Sequence, residues 1–247
     1  MLKLITPNWS APKHIKAFSS TRLNGESIGV FEGLNLGLHV DDDKNTVLKN
    51  RELLTKHLNI PDNFCWLQQT HSTILLKIDQ HTQQGIEADA SWSDIKKQVC
   101  VVMTADCLPV LITDKAGSFV SAIHAGWRGL CDGIIEKSID TICQELNIDS
   151  TDLLVWLGPC IGKNAFEVGA EVRDMFINQD AQARHAFVVH QDRYLADLQQ
   201  LARLRIAPFN VAEITASEHC TFSQPELFYS YRRDGKTGRM ATFIYIE

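Results

Sequence analysis

Three short stretches of this chain combine residue types that do chemistry rather than packing. Gln68-Gln69-Thr70-His71-Ser72 heads an apolar run, and Thr104-Ala105-Asp106-Cys107 lies at the seam of two such runs. His124-Ala125-Gly126-Trp127-Arg128-Gly129 joins a third run to an amphipathic stretch. His71, Cys107 and His124 together would make a Cys/His₂ set, which suits zinc with a fourth position open to water or substrate. Zinc held in this way brings the pKa of a bound water to about 7. Cys107 beside a histidine also outlines a thiol nucleophile and its base, and both uses need a lowered thiol pKa. A third account makes Cys107 a small buried hydrophobe and the histidines hydrogen-bonded core or surface residues. No short motif fixes the spacing of the three, so the residues alone leave these uses open.

The two glycines of HAGWRG would let backbone N–H groups at a helix start approach an anion. Arg128 in the same turn could grip that anion through two parallel hydrogen bonds, whereas a tight packing turn is the plainer account. Arg22 ends the run Ser19-Ser20-Thr21-Arg22. Asn35 sits among apolar residues in Leu34-Asn35-Leu36-Gly37, where an amide needs partners. Arg232 belongs to Ser230-Tyr231-Arg232-Arg233-Asp234-Gly235, which also reads as a solvated hairpin.

The elements that must position these residues are partly legible. Asp43 closes the triplet Asp41-Asp42-Asp43 and predicts the N-cap of a helix with Val47, Leu48, Arg51, Leu54 and Leu58 on one face. Residues 72–78, 99–105, 108–113 and 118–124 predict strands, interrupted at Asp106-Cys107 and at Pro109. Their near-continuous, β-branched character is that of strands buried on both faces. Residues 129–146 predict one long amphipathic helix, with further helices over 168–178 and 194–206. Leu153–Leu157, 211–216 and Met240–Ile246 predict strands. Without strict β-α-β alternation the pattern is α+β, with helices outside one or two sheets. No linker or internal repeat divides residues 1–247, so a single domain is expected.

Composition sets the outer bounds. At 247 residues, 45% hydrophobic and 22% charged, the chain is an ordinary soluble type, large enough to bury a core without cross-links. Its net charge of −6 argues against a general nucleic-acid binder. Seven cysteines, an odd number without a CxxC, do not form a disulfide framework and point to a reducing, cytoplasmic setting. No apolar run is long enough for a signal peptide or a membrane span, so no membrane is expected as a partner. Short elements and an acidic surface fit a monomer.

QQTHS, TADCLPV, HAGWRGL, WLGPCIG with AFEVG, and SYRRDGKTGRMA together resemble the laccase-domain family. It is also called the polyphenol-oxidase or purine nucleoside phosphorylase family, and its bacterial single-domain members have been called peptidoglycan-editing factors. The likeness runs from Ser19 to the last strand. It implies an α-β-β-α layered sandwich with mixed sheets, distantly similar to toxin deamidases. It also implies a zinc site at the positions of His71, Cys107 and His124. The implied reactions are phosphorolysis of adenosine, inosine and 5′-methylthioadenosine, and deamination of adenosine, with purine nucleosides and inorganic phosphate as partners. Within this resemblance Cys107, His124 and His71 carry the chemistry and Asp106 is the candidate for proton transfer. Arg128 and Gly126 would meet phosphate, with Arg22, Asn35 and Arg232 as further substrate or phosphate contacts.

The family's copper-oxidase name meets an obstacle in the residues. A multicopper cluster is held mostly by His-x-His pairs, and no two of the nine histidines are spaced that way. A single copper at His71, Cys107 and His124 stays compatible. Two alternatives remain: a cysteine-type hydrolase editing cytoplasmic peptidoglycan precursors through Cys107, and a non-catalytic metal-binding partner protein.

Overall fold

Because side chains alternate along a strand, a strand buried on both faces contributes to two cores at once, and the apolar runs here do so. The computed structural model describes residues 2–60 and 63–247. In chain order these contain Leu4–Ile5 (β1), Ile15–Ser20 (β2), Lys44–Leu58 (α1), Phe64–Cys65 (β3), Leu75–Lys77 (β4), Ala90–Ser93 (β5) and Val99–Thr104 (β6). Leu108–Asp114 (β7), Val120–Ala125 (β8), Trp127–Cys131 (α2), Ile134–Leu146 (α3), Leu153–Leu157 (β9) and Glu167–Val168 (β10) follow. Ala170–Gln179 (α4), Phe187–His190 (β11), Arg193–Ala196 (β12), Leu198–Ile206 (α5), Glu213–Ala216 (β13), Tyr231–Asp234 (α6) and Met240–Ile246 (β14) complete the chain.

The first sheet has the order β1-β2-β14-β6-β3 and the second β13-β9-β7-β8-β5-β4; a small third sheet is β10-β12-β11. Both large sheets mix parallel and antiparallel pairs, as β3–β6 with β14–β6 and β13–β9 with β7–β9, so the fold is α+β. Their facing sides share a core in which Cys100, Val102 and Ile244 meet Leu111, Ala122 and Trp156. On the outer face of the first sheet, Val101, Met103 and Phe243 pack with Leu54 of α1 and with Leu34 and Leu36. On the outer face of the second, Val110, Ile112 and Ile123 meet Leu130, Ile139 and Ile142 from α2 and α3, and Leu201 from α5. No helix among the described residues is long and apolar enough to cross a membrane.

The helix expected over 129–146 is two helices. Gly133 sits at φ +86° and turns the chain between α2 and α3, a conformation that glycine adopts without a Cβ penalty. The periodicity runs through the break because Leu130 and Ile134 enter the same core. The helix expected from residue 194 starts at Leu198, where Asp197 accepts from the Gln200 N–H; Tyr194 lies in β12. The helix expected from 168 starts at Ala170, and Val168 belongs to β10. Residues 230–235 are not a hairpin: Ser230 caps the short helix α6 by accepting from the Arg233 N–H. Pro109 does not interrupt its strand either. It pairs with His124 in β8, whose own N–H goes to the Asp89 carbonyl at 2.7 Å, while the Pro109 carbonyl accepts from Gly158. The pair therefore makes no mutual hydrogen bond, and the missing proline N–H leaves the β7–β8 ladder intact.

Asp43 is the N-cap of α1 as expected, accepting from the Thr46 N–H at 2.8 Å and from the Thr46 hydroxyl at 2.8 Å. Asp43→Ala should lower the unfolding free energy by about 1 kcal/mol. Urea titration would show this as a lower midpoint with an unchanged slope.

Candidate metal centre

One end of the second sheet collects the candidate ligands. The register Leu108↔Ala125 and Pro109↔His124 sets the end of β8 beside the start of β7, and Cys107 immediately precedes β7. β5 pairs with β8 on the other side, Ala90 against Ile123, so Asp89 comes level with His124. His71 lies on the loop leading into β4, the next strand over. His71, Cys107 and His124 thereby bring three ligand atoms within 4.8 Å of one another. Cys107 Sγ is 3.8 Å from His71 Nε2, and the two imidazole rings meet edge to face with centroids 4.9 Å apart. His124 is buried, Cys107 half-buried and His71 exposed, so the group opens to solvent on one side.

Glycine is required where these side chains converge. A Cβ on Gly126 would stand 2.5 Å from His71 Cδ2 and 3.3 Å from Cys107 Sγ. The turn leads into the five-residue helix α2, and Gly126 makes room for a ring and a sulfur.

The residue that organises the group is Asp89, which sequence reasoning did not single out. Its carboxylate is fully buried and accepts from the N–H groups of Thr70 (3.1 Å), His71 (3.0 Å) and Ser72 (2.6 Å), and from the Ser72 hydroxyl at 2.7 Å. His124 Nδ1 donates to it at 2.7 Å. This bond fixes the imidazole tautomer and leaves Nε2 for the cluster, as a buried carboxylate does for ligating histidines generally. The wrap around Asp89 also holds His71 at φ +62°, an unfavourable backbone for a non-glycine residue that surrounding bonds must enforce.

Charge follows from this arrangement. Burial alone would raise the Asp89 pKa, but the bonds from His124 and Ser72 hold it at about 2. Burial would likewise raise Cys107, yet the neighbouring His124 and His71 bring its thiol down to about 6. Against its own burial, His124 is raised to about 9 by Cys107 and Asp89. Without a metal the pair is a thiolate and an imidazolium on a buried carboxylate. The donor set of two imidazoles and one thiolate, with the carboxylate behind one imidazole, fits a borderline ion such as zinc or a single copper.

The other sequence candidates are held by partners of their own. Asp106, at φ +91°, has both carboxylate oxygens occupied: Thr221 Oγ1 at 2.6 Å, Ser230 Oγ at 2.9 Å and the Arg232 N–H at 2.7 Å. It ties the C-terminal segments to the Cys107 loop. Arg232 is exposed and donates to the Glu167 carbonyl at 2.6 Å. Arg22 donates to the carbonyls of Glu32 and Pro225 and lies over the Tyr229 ring. Arg128 is exposed with its guanidinium over Trp127. Asn35 is fully buried; its amide donates to Asp42 and accepts from the Gly37 and Arg239 N–H groups. Beyond these, a cavity of about 1060 Å³ runs from α1 to His39, Trp66, Gln69 and Met103. Gln69 exchanges bonds of 2.7 and 2.8 Å with the Met103 backbone, which anchors the approach to His71 on β6.

Comparison with known proteins gives a consistent picture. Residues 16–247 match the family described as multi-copper polyphenol oxidoreductase laccase. The chain is 47% identical over 246 residues to the purine nucleoside phosphorylase YfiH of Shigella flexneri, covering 100% of both chains. It is 43% identical over 249 residues to a purine nucleoside phosphorylase of Haemophilus influenzae, again covering 100% of both. A Neisseria meningitidis protein known from its crystal structure superposes with a TM-score of 0.93 at 40% identity, over 99% of each chain.

In the metal-free protein, alkylation of Cys107 by iodoacetamide, followed by peptide mass spectrometry, should rise with pH around 6 rather than near 9. Asp89→Asn weakens the positive charge on His124, so the same midpoint should move upward. A midpoint already near 9 in the unaltered protein would contradict the thiolate–imidazolium pair.

Proposed function

The chain belongs to the multi-copper polyphenol oxidoreductase laccase family, and on that footing we propose that it is a zinc-dependent purine nucleoside phosphorylase. Adenosine, inosine and 5′-methylthioadenosine are its substrates, with adenosine deamination as a second activity of the same site. It works as a cytoplasmic monomer, one domain over 1–247, layered α-β-β-α in the manner of the toxin deamidases that the family resembles. The convergence of His71, Cys107 and His124 at the end of the second sheet carries this reading. Relatives named purine nucleoside phosphorylases support the reaction class.

His71, Cys107 and His124 hold the metal. When bound, it supplies Lewis acidity toward a substrate oxygen. Asp89 keeps His124 oriented and keeps its second nitrogen available. Gly126 lets His71 close on Cys107. A cavity of about 1060 Å³, lined in part by Gln68 and Gln69 of the segment that leads to His71, is of a size to enclose a nucleoside. In phosphorolysis a phosphate oxygen bonds to the ribose C1′ as the C1′–N9 bond breaks; its electron pair leaves on the purine, which takes up a proton. Asp106 acts here by holding Ser230 and Arg232 against the Cys107 loop, since its lone pairs are committed to three donors.

The lowered Cys107 thiol favours one second reading, a cysteine hydrolase acting on peptidoglycan precursors. Polyphenol oxidation through a multicopper cluster has less support, because a single three-ligand group is found among the described residues.

Protein purified without added metal should contain close to one zinc per chain by plasma mass spectrometry. It should release adenine from adenosine only when phosphate is present. Cys107→Ala should cost at least about 100-fold in kcat/KM, the scale of losing a metal or its ligand set. Full activity after complete metal removal would refute the metal mechanism. Turnover of a muropeptide precursor with none on nucleosides would transfer the site to the hydrolase reading.

A further inference from the structure

Phosphorolysis needs a cation for its phosphate, and the arginines singled out in the sequence already have partners. Arg22 and Arg232 donate to backbone carbonyls, and Arg128 lies over Trp127. Arg239 is placed differently. It immediately precedes β14, whose Met240 pairs with Thr104 at the end of β6, so it stands alongside the turn that carries Ala105, Asp106 and Cys107. Its backbone is pinned on both sides, the N–H donating to Asn35 Oδ1 at 2.9 Å and the carbonyl accepting from the Leu36 N–H at 3.1 Å. Its Nη1 donates to the carbonyls of Thr237 and Gly238, which leaves Nε and Nη2 without a hydrogen-bond partner among the described residues.

His39 is brought to the same place by the segment that pins Arg239. Gly37 lies between them: a Cβ there would be 2.8 Å from Arg239 Cγ and 3.5 Å from His39 Cε1. The His39 ring forms part of the cavity wall. Burial pushes its pKa down, and the charges that act with it are Arg239, Arg51 and His124, with no carboxylate among them. Arg239 in turn lies within electrostatic reach of Cys107 and Asp106. Two side chains that donate hydrogen bonds therefore bridge the space from the cavity to Cys107. The charges around His39 are cationic, whereas Arg239 also faces Cys107 and Asp106, so an incoming anion would meet its donors from the cavity side.

We infer that His39 and Arg239 form an oxyanion subsite between the cavity and the metal centre, built for a tetrahedral anion and occupied in turnover by inorganic phosphate. A guanidinium with two unengaged donors matches two oxygens of a phosphate, and an imidazole N–H meets a third. That the anion is the co-substrate rests on the phosphorylase reading; that an anion binds here does not. The subsite puts phosphate between the cavity wall at His39 and the turn that carries Cys107.

The experiment uses the full chain with inorganic phosphate as probe, in Arg239→Gln, Arg239→Lys and His39→Gln. The backbone bonds of Arg239 to Asn35 and Leu36 survive each substitution, and circular dichroism checks that each variant is folded. Phosphate affinity by isothermal titration should fall at least about tenfold in Arg239→Gln, the scale of a lost charged hydrogen bond. Arg239→Lys should recover part of the loss and His39→Gln should lose less. In turnover the KM for phosphate should rise by a similar factor, with the KM for adenosine within about twofold. Wild-type phosphate affinity in both Gln variants overturns the subsite. Phosphorolysis with an unchanged phosphate KM overturns it while leaving the phosphorylase reading intact. Phosphate binding that depends on Arg239 in a protein without phosphorolysis keeps the subsite and removes the phosphorylase reading.

Discussion

A carboxylate buried at 0% exposure has to be compensated, and the candidate centre is built around the compensation of Asp89. An unpaired charge in that position would be costly by several kcal/mol. Five donors remove that cost, and they arrive from two directions: the loop Thr70–Ser72 wraps the carboxylate, and His124 reaches it from β8. The same bonds that neutralise Asp89 therefore set the distance between the His71 loop and the His124 strand. Three consecutive backbone N–H groups on one carboxylate offset the left-handed backbone at His71. A site held in this way is preorganised before any ligand arrives, because its shape is that of a satisfied buried charge.

A second carboxylate does the corresponding work on the other flank. β6 belongs to the first sheet and β7 to the second, so the turn between them crosses from one layer to the other and carries Asp106 and Cys107. Asp106 faces the C-terminal segments and binds Thr221, Ser230 and Arg232, while Cys107 faces the histidines. The turn takes φ +91° at Asp106 as it crosses between the layers, with Asp106 toward the C-terminal segments and Cys107 toward the histidines. Asp89 and Asp106 thus hold the ligand-bearing segments from two flanks, with the half-buried thiolate between them.

Side chains with distinctive ligand chemistry, His71, Cys107 and His124, were legible in the sequence because they sit where apolar runs end. So were the α1 cap and the central strands, whose patterns depend on near neighbours. Asp89 was not. It is one carboxylate in Glu87-Ala88-Asp89-Ala90, and its partners lie 17 to 35 residues away, so no local spacing announces it. A faint signal exists in a charge flanked by small apolar residues at the head of a strand, where burial without a partner would be prohibitive. The helix break at Gly133 was hidden for the opposite reason: Leu130 and Ile134 join one core on either side of it, and hydrophobic periodicity reports the core rather than the backbone.

The arginines show why cationic roles are read less well than metal ligands. In Ser230-Tyr231-Arg232-Arg233 the paired cations look like an anion site, yet Arg233 donates to the carbonyls of Thr221, Phe222 and Phe228 and to Asp234, and Arg232 to Glu167. The Arg233 guanidinium closes loop segments that have no β-ladder to satisfy their carbonyls, and Arg232 reaches the edge strand β10. Arg239, a few residues on, lies next to a strand whose carbonyls are already paired, and most of its donors are not needed for the fold. Arginine has five N–H donors, and what the backbone around it lacks decides how many remain for a ligand. That deficit is set by tertiary pairing. A thiol or an imidazole carries its ligand chemistry in the side chain itself, whereas the availability of a guanidinium depends on which carbonyls the fold leaves unpaired.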